Sequence, residues 1–192
     1  ADDRIAPDFA ETLLRVMESD PSLGYAYGRV RYFGAQDGGW DAQPYDPRRL
    51  LVENLSVATA LVRREAFELA GGYSRDIIHG FEDWDFWIAL LGVGYLGRLV
   101  PEAIFYYRKH AGGSMLTKTQ QHRSEMVRKM IEHHRPLFAA LMDVSIADKD
   151  RMFFDAHLDA WRMREALGRR ATAGGLDDQI LGRLRASAEL EA

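Results

Sequence analysis

The residues best suited to chemistry in this sequence are acids set among aromatic side chains. In the window 80–91, GFEDWDFWIALL, Glu82 and Asp83 open a stretch that otherwise carries bulky apolar groups. A carboxylate beside apolar walls loses hydration, so its proton affinity rises and it can take a proton from a hydroxyl as a general base. The same acids also suit the first turn of a helix, where free backbone N–H groups and the helix dipole favour negative charge. Two tryptophans, three acids and the preceding His79-Gly80 turn are more than a helix start requires. A second acidic pair, Asp2 and Asp3, lies just ahead of Pro7. Two hard oxygen donors on a loop suit a divalent cation bridging phosphates, and they equally suit a helix dipole or an exposed chain end. His110 ends an apolar run just before a glycine turn, a position open to a ligand as well as to a structural imidazole.

Positioning these groups falls to elements that the hydrophobic pattern outlines. As a helix, the 80–91 window places Trp84, Trp87, Ile88 and Leu91 on one apolar face. An earlier helix is predicted to start at Pro7, to carry Phe9, Leu13, Val16 and Met17 on one face, and to stop before Asp20-Pro21. Residues 23–33 alternate, with Ala26, Gly28, Val30 and Tyr32 opposed to Tyr25, Tyr27, Arg29 and Arg31, which predicts a strand. Residues 35–49 read as a loop, because Asp-Gly-Gly-Trp and two prolines oppose regular structure. Trp40 and Tyr45 on that loop are either buried anchors or flat surfaces for a sugar ring. A short strand in 56–62 and a helix over 63–70 follow, the helix ending at Gly71-Gly72, where a left-handed turn brings backbone close to Tyr73. The run 103–107 suits a central strand. Beyond it the pattern predicts helices over 117–141, 146–169 and 176–190, broken at Arg135-Pro136, near Asp143 and at Gly174-Gly175. Met126, Met130, Leu137 and Phe138, and then Phe153, His157, Trp161 and Met163, read as packing faces, and His133 and His134 as surface residues.

Bulk composition excludes several classes of function. The 192 residues are 47% apolar and 28% charged, which is ordinary for a globular chain, and a net charge of −4 offers no basic footprint for nucleic acid. With no cysteine there is no disulfide, thiolate metal site or thiol nucleophile. No apolar run approaches the roughly 20 residues that span a bilayer. A cytoplasmic chain is expected, at most peripheral to the inner face of the membrane. The opening Ala1-Asp2-Asp3, without an initiator methionine, reads as a piece cut from a longer chain.

Four motifs in order resemble the C-terminal half of an inverting glycosyltransferase of family 2, with the GT-A fold. Ala1-Asp2-Asp3 resembles the tail of the aspartate-x-aspartate motif; Ala70-Gly71-Gly72-Tyr73 resembles the small-residue turn leading to the acceptor site. Glu82-Asp83 followed by Trp84-Asp85-Phe86-Trp87 resembles the glutamate-aspartate signature, and Tyr107-Arg108-Lys109-His110 with Ser114-Met115 the closing tyrosine-arginine-x-histidine element. Ser74 and Ala89 depart from the pattern, standing where relatives often carry an acid and an arginine. The resemblance implies an α/β fold with a partial GT-A-type mixed sheet, flanking helices and a C-terminal helical segment, divided into an acceptor-side domain over 1–116 and a helical extension over 117–192. It implies Asp83 as catalytic base supported by Glu82, Gly71, Gly72 and Trp84 at the acceptor, Asp2 and Asp3 at the donor, and Asp2 with His110 on a divalent cation, Mn or Mg. The implied partners are a nucleotide-diphosphate sugar donor, a glycan or lipid-linked acceptor, and a second copy or another protein through the C-terminal helices. The alternative is a non-catalytic glycan- or protein-binding module derived from the same fold.

Overall fold

The structure, a computed structural model, describes residues 2–40, 42–110 and 121–174. Its elements are β1 (Arg4–Ile5), α1 (Phe9–Ser19), β2 (Leu23–Gly34), β3 (Gly38–Trp40), α2 (Pro47–Leu50), β4 (Ala60–Val62), α3 (Arg64–Ala70), α4 (Glu82–Gly92), β5 (Leu96–Lys109), α5 (Arg123–His133) and α6 (Arg135–Gly174). The strands form one sheet in the order β1-β5-β2-β3, with β4 also paired to β2. β5 runs parallel to β2, and the other pairings are antiparallel. This is the α/β class expected, a mixed sheet flanked by helices and followed by a helical segment. No helix among the described residues is long and apolar enough to cross a membrane.

β2 organises the core because its alternation feeds two different clusters. Ala26 and Val30 join Phe9, Leu13 and Met17 of α1 with Val100 and Phe105 of β5. Tyr25 and Tyr27 point the other way, into a cluster with Leu50, Trp84, Trp87, Met126 and Met130. The Tyr25 ring stacks on Trp87 with centroids 4.2 Å apart and planes within 10°, so α4 is pressed flat onto the sheet. Each such side chain taken fully from water contributes about 1.5–3 kcal/mol. Between the pairs Tyr27↔Leu99 and Arg29↔Ile104 the register slips, and the extra residues of β5 around Pro101 arch over Gly28. The Ala103 carbonyl occupies the space of a Cβ there, so only glycine fits.

Several sequence expectations change at this point. The stretch 35–49 is not a bare loop: Gly38–Trp40 pairs with Val30–Tyr32 as a hairpin arm, and Pro47 begins a helical turn capped by Asp46 instead of forbidding one. Trp40 and Tyr45 pack against the two clusters as anchors. The strand expected over 56–62 is confined to Ala60–Val62. α4 is buried nearly all round, Asp85 included, rather than along one stripe. α6 runs through position 143 without a break, since one polar residue without Gly or Pro does not stop a helix.

Compact units divide the chain at Ala1–Asp148 and Lys149–Ala192. The first therefore takes in the start of the region expected to be a separate extension from 117, because Met126 and Met130 of α5 sit in the Trp84 core. In the second unit, Phe153, Trp161 and Met163 are 65%, 55% and 67% exposed, so the packing face read from their spacing has no cover among the described residues. The helix expected over 176–190 lies outside the described residues, as do Ser114 and Met115.

Candidate functional site

Sheet register assembles the first group. β1 pairs antiparallel with β5, Arg4 opposite Tyr106 and Ile5 opposite Phe105, which carries Asp2 and Asp3 alongside Arg108 and His110. Asp3 Oδ1 accepts from the Arg108 backbone N–H at 2.8 Å, fixing the end of β1. His110 Nε2 and Asp2 Oδ2 are hydrogen-bonded at 2.7 Å. Arg108 Nε donates to the Asp2 carbonyl at 3.2 Å and lies 3.6 Å from its carboxylate, while its guanidinium stacks over Phe33, 4.4 Å from the ring centre. The His110 hydrogen bond, reinforced by the charges of His110 and Arg108, holds the Asp2 carboxyl below its ordinary 3.8. One carboxylate and one imidazole with donor atoms this close fit a divalent cation that takes its remaining oxygens from phosphate and water, since neighbouring ligands of such an ion stand about 3 Å apart. Both side chains are open to solvent, which leaves room for such a ligand.

A second group gathers at the start of α4. Gly80 (φ +91) and Phe81 (φ +70) both adopt left-handed backbone, the latter at a strain of about 1–2 kcal/mol for a non-glycine residue. The turn sends Phe81 against the core and aims Asp83 at the loop that follows α2. Arg123 of α5 covers the turn, its guanidinium 5.4 Å from the Phe81 and Trp84 rings. Asp83 Oδ1 accepts from its neighbour's backbone N–H, Trp84, at 2.8 Å and from Asn54 Nδ2 at 3.2 Å. Burial pushes the Asp83 carboxyl up to about 6, the adjacent Glu82 charge adds to this, and the two hydrogen bonds only partly offset it. Glu82 itself is exposed. The carboxyl is ionised at neutral pH yet still binds a proton well, the property a general base needs.

Gly71 and Gly72 end α3 in left-handed conformations, φ +82 and +71, and a Cβ on Gly72 would come within 2.9 Å of the Phe67 ring. Phe67 and Phe86 rings, 5.3 Å apart, pack α3 on α4. The turn thereby delivers Tyr73, 45% exposed, onto Phe86 at 4.8 Å and into the field of Asp83 and Glu82, whose charges join burial in raising its hydroxyl pKa. Trp84 corrects the expectation of an acceptor platform. It is 2% exposed, and its indole N–H donates to the Leu50 carbonyl at 2.6 Å, so the ring anchors α4 instead of facing a ligand. Among the described residues no hydrogen bond or ion pair joins the Asp2 group to the Asp83 group.

Two parts of the site escaped sequence reasoning. Asn54 is a lone polar residue in a loop, and nothing local marks it as the partner of an acid 29 positions away. His133 is exposed, as expected, and His134 half-buried, but both have an acidic partner: His134 Nε2 lies 3.0 Å and His133 Nδ1 3.4 Å from Oδ1 of the buried Asp85. The third acid of the EDWD window was a usable signal, since a charge inside an aromatic helix needs a partner. In comparisons with known proteins, no family model and no curated protein matches the chain.

Proposed function

We propose that residues 2–110 form the acceptor-and-base side of a metal-dependent inverting glycosyltransferase, which transfers a sugar from a nucleotide-diphosphate donor to a glycan or other hydroxyl acceptor. The observation that carries this reading is the convergence of Asp2 and His110, which stand 2.7 Å apart although far apart in sequence, in a chain whose half-buried Asp83 carboxyl is pushed to about 6. Four motifs of the resembling family supply the context, and the two clusters hold the acids those motifs assign to metal and base.

In the reaction, Asp83 accepts the proton of the acceptor hydroxyl while that oxygen attacks the anomeric carbon. The bond from that carbon to the diphosphate oxygen breaks, and its electron pair leaves with the nucleoside diphosphate. A single displacement inverts the configuration. Oδ1 of Asp83 is occupied by Trp84 N–H and Asn54, so Oδ2 is the oxygen that takes the proton. Tyr73, at the lip beside Asp83, offers a hydroxyl and ring face to an acceptor sugar. Asp2 and His110 would hold the divalent cation, which when bound neutralises charge on the leaving diphosphate. Asp3 ties β1 to Arg108 and so keeps Asp2 in place. Such an enzyme works in the cytoplasm or at the inner face of the membrane, where sugar nucleotides are at hand.

The test is sugar transfer by the protein, assayed with a panel of sugar nucleotides and Mn2+. Asp83→Asn is expected to abolish transfer, by roughly 100- to 10,000-fold, with Mn2+-dependent nucleoside-diphosphate binding retained. Full activity in that variant would exclude Asp83 as base, and glycan binding without transfer in the unaltered protein would favour a binding module.

A further inference from the structure

The cluster of Asp85, His133 and His134 lies apart from the groups just assigned, in the face of α4 that packs on the later helices. Asp85 is 3% exposed. Its Oδ1 is approached by two imidazole nitrogens at 3.0 and 3.4 Å, and one donor atom from each of the three residues falls within 4.8 Å of the others. Consecutive residues of a regular helix point about 100° apart, so His133 and His134 could not both reach one oxygen from inside α5. They do so because α5 ends at His133, and His134, with φ −110 and ψ 28, turns the chain into α6. The break serves a convergence of three donors.

We infer that this cluster is a binding site for a divalent transition ion of the zinc type, with Asp85, His133 Nδ1 and His134 Nε2 as ligands. Around such an ion, bonds near 2.0–2.1 Å set neighbouring donors about 3.3 Å apart, and the observed 3.0 and 3.4 Å bracket that spacing. A carboxylate with two imidazoles is a donor set suited to zinc rather than to magnesium or calcium. The far nitrogen of His133, Nε2, faces Asp76 Oδ2 at 3.7 Å. That distance is too long for a hydrogen bond, and the carboxylate acts on the ring as a nearby negative charge, on the side where metal-bound histidines commonly have an outer partner. Both histidines also line a groove of about 500 Å³ with Ala70, Ala89, Val93 and Leu137, from which a water would complete the coordination. The ion bolts the first turn of α4 to the α5–α6 junction. This site stands independently of the glycosyltransferase reading, since it uses none of the same ligands.

Zinc titration by calorimetry, on the chain carrying His110→Ala so that the Asp2 pair does not contribute, tests the assignment. The expected result is one zinc per chain and a melting temperature raised by about 5–10 °C at zinc concentrations some 100-fold above Kd. Cobalt in place of zinc should give the visible absorption of a tetrahedral site. His134→Gln should weaken zinc binding by more than about 100-fold, and Asp76→Asn by roughly 10-fold, the usual effect of an outer partner. His133 is the more exposed ring, so His133→Gln gives the same test should His134→Gln fail to fold. Absence of zinc binding in the His110→Ala chain, or undiminished affinity in the glutamine variants, would overturn the site and leave a hydrogen-bonded acid–imidazole cluster.

Discussion

Asp2 and Asp83 are carboxylates that their surroundings push in opposite directions. Asp2 sits half-open at the sheet edge, where the His110 hydrogen bond and the Arg108 charge keep it more acidic than an ordinary aspartate. Asp83 is walled in at the base of an aromatic helix, and the loss of hydration raises it to about 6 in spite of two hydrogen bonds to Oδ1. A carboxylate held below its ordinary range is the poorer proton acceptor and a steady anion for a cation. One raised towards neutrality is the better base. Separating the environments of two acids would let one chain hold a metal and move a proton at the same pH, as the proposed function requires.

The sharpest way to break this contrast is Asp83→Asn, whose effect on transfer is given above and whose effect on stability runs the other way. The folded-state pKa of Asp83 lies above the unfolded value near 3.8. Its contribution to stability is therefore fully present below about pH 3.8 and is lost as pH rises through about 6. Above pH 7 the ionised group disfavours folding by about 2–3 kcal/mol, following the separation of the two pKa values. Asp83→Asn, which keeps shape and loses charge, should raise the melting temperature at pH 8 and change it little at pH 4. Wild-type kcat/KM should climb with pH through about 6. Equal melting shifts at both pH values would mean that Asp83 is not desolvated and would remove the ground for its role.

At the Asp2 pair the reverse outcome is expected. His110→Ala should weaken Mn2+-dependent nucleoside-diphosphate binding by roughly 10- to 100-fold. Thermal stability should barely move, because an exposed acid–imidazole pair contributes little to folding. A large loss of stability in this variant would assign the pair to tying β1 onto β5.

Trp84→Phe probes what holds Asp83 in place. It removes a buried indole N–H bond of 2.6 Å to the Leu50 carbonyl and leaves that acceptor unpaired, at a cost of about 1–3 kcal/mol by denaturant unfolding. The backbone N–H of Trp84, which the substitution keeps, binds Asp83 Oδ1, so a helix start shifted by loss of the indole bond would lower kcat several-fold with donor binding unchanged.

How much of this was legible in the sequence follows from whether each element answers to one neighbour or several. α1 buries one face against one sheet, so its 3.6-residue period names Phe9, Leu13 and Met17, which are buried, and Val16, which packs half-buried at their edge. β2 alternates cleanly because its two faces feed two cores. α4 is enclosed on nearly every side, so its single-stripe reading fails and Asp85 passes for one more helix-start acid. β3 exists because the edge of β2 offers it hydrogen bonds, a cause that lies outside Gly38-Gly39-Trp40. The acids themselves stand out by type and order, but Asn54 and the two histidines become partners only through tertiary contact. His133-His134 was the least legible, since its convergence depends on a helix break whose geometry no local pattern encodes.

Asp46 offers the smallest effect and the most discriminating control. Like Asp2 it is an aspartate held acidic: the Arg48 side chain and the Arg48 backbone N–H, bonded at 2.9 and 2.8 Å, bring its carboxyl down to about 2. Its work, however, is to cap α2, the turn that presents the Leu50 carbonyl to Trp84. Asp46→Ala should cost about 1 kcal/mol, or a fall of about 2–4 °C in melting temperature. The folded pKa lies below the unfolded one, so this contribution is present above about pH 3.8 and lost as pH falls through about 2. Neither the pH profile of transfer nor metal-dependent nucleotide binding should shift. A displaced profile at unchanged melting temperature would show that α2 sets the proton affinity of Asp83 through the Leu50–Trp84 bond, and burial alone would then no longer account for the difference between the two acids.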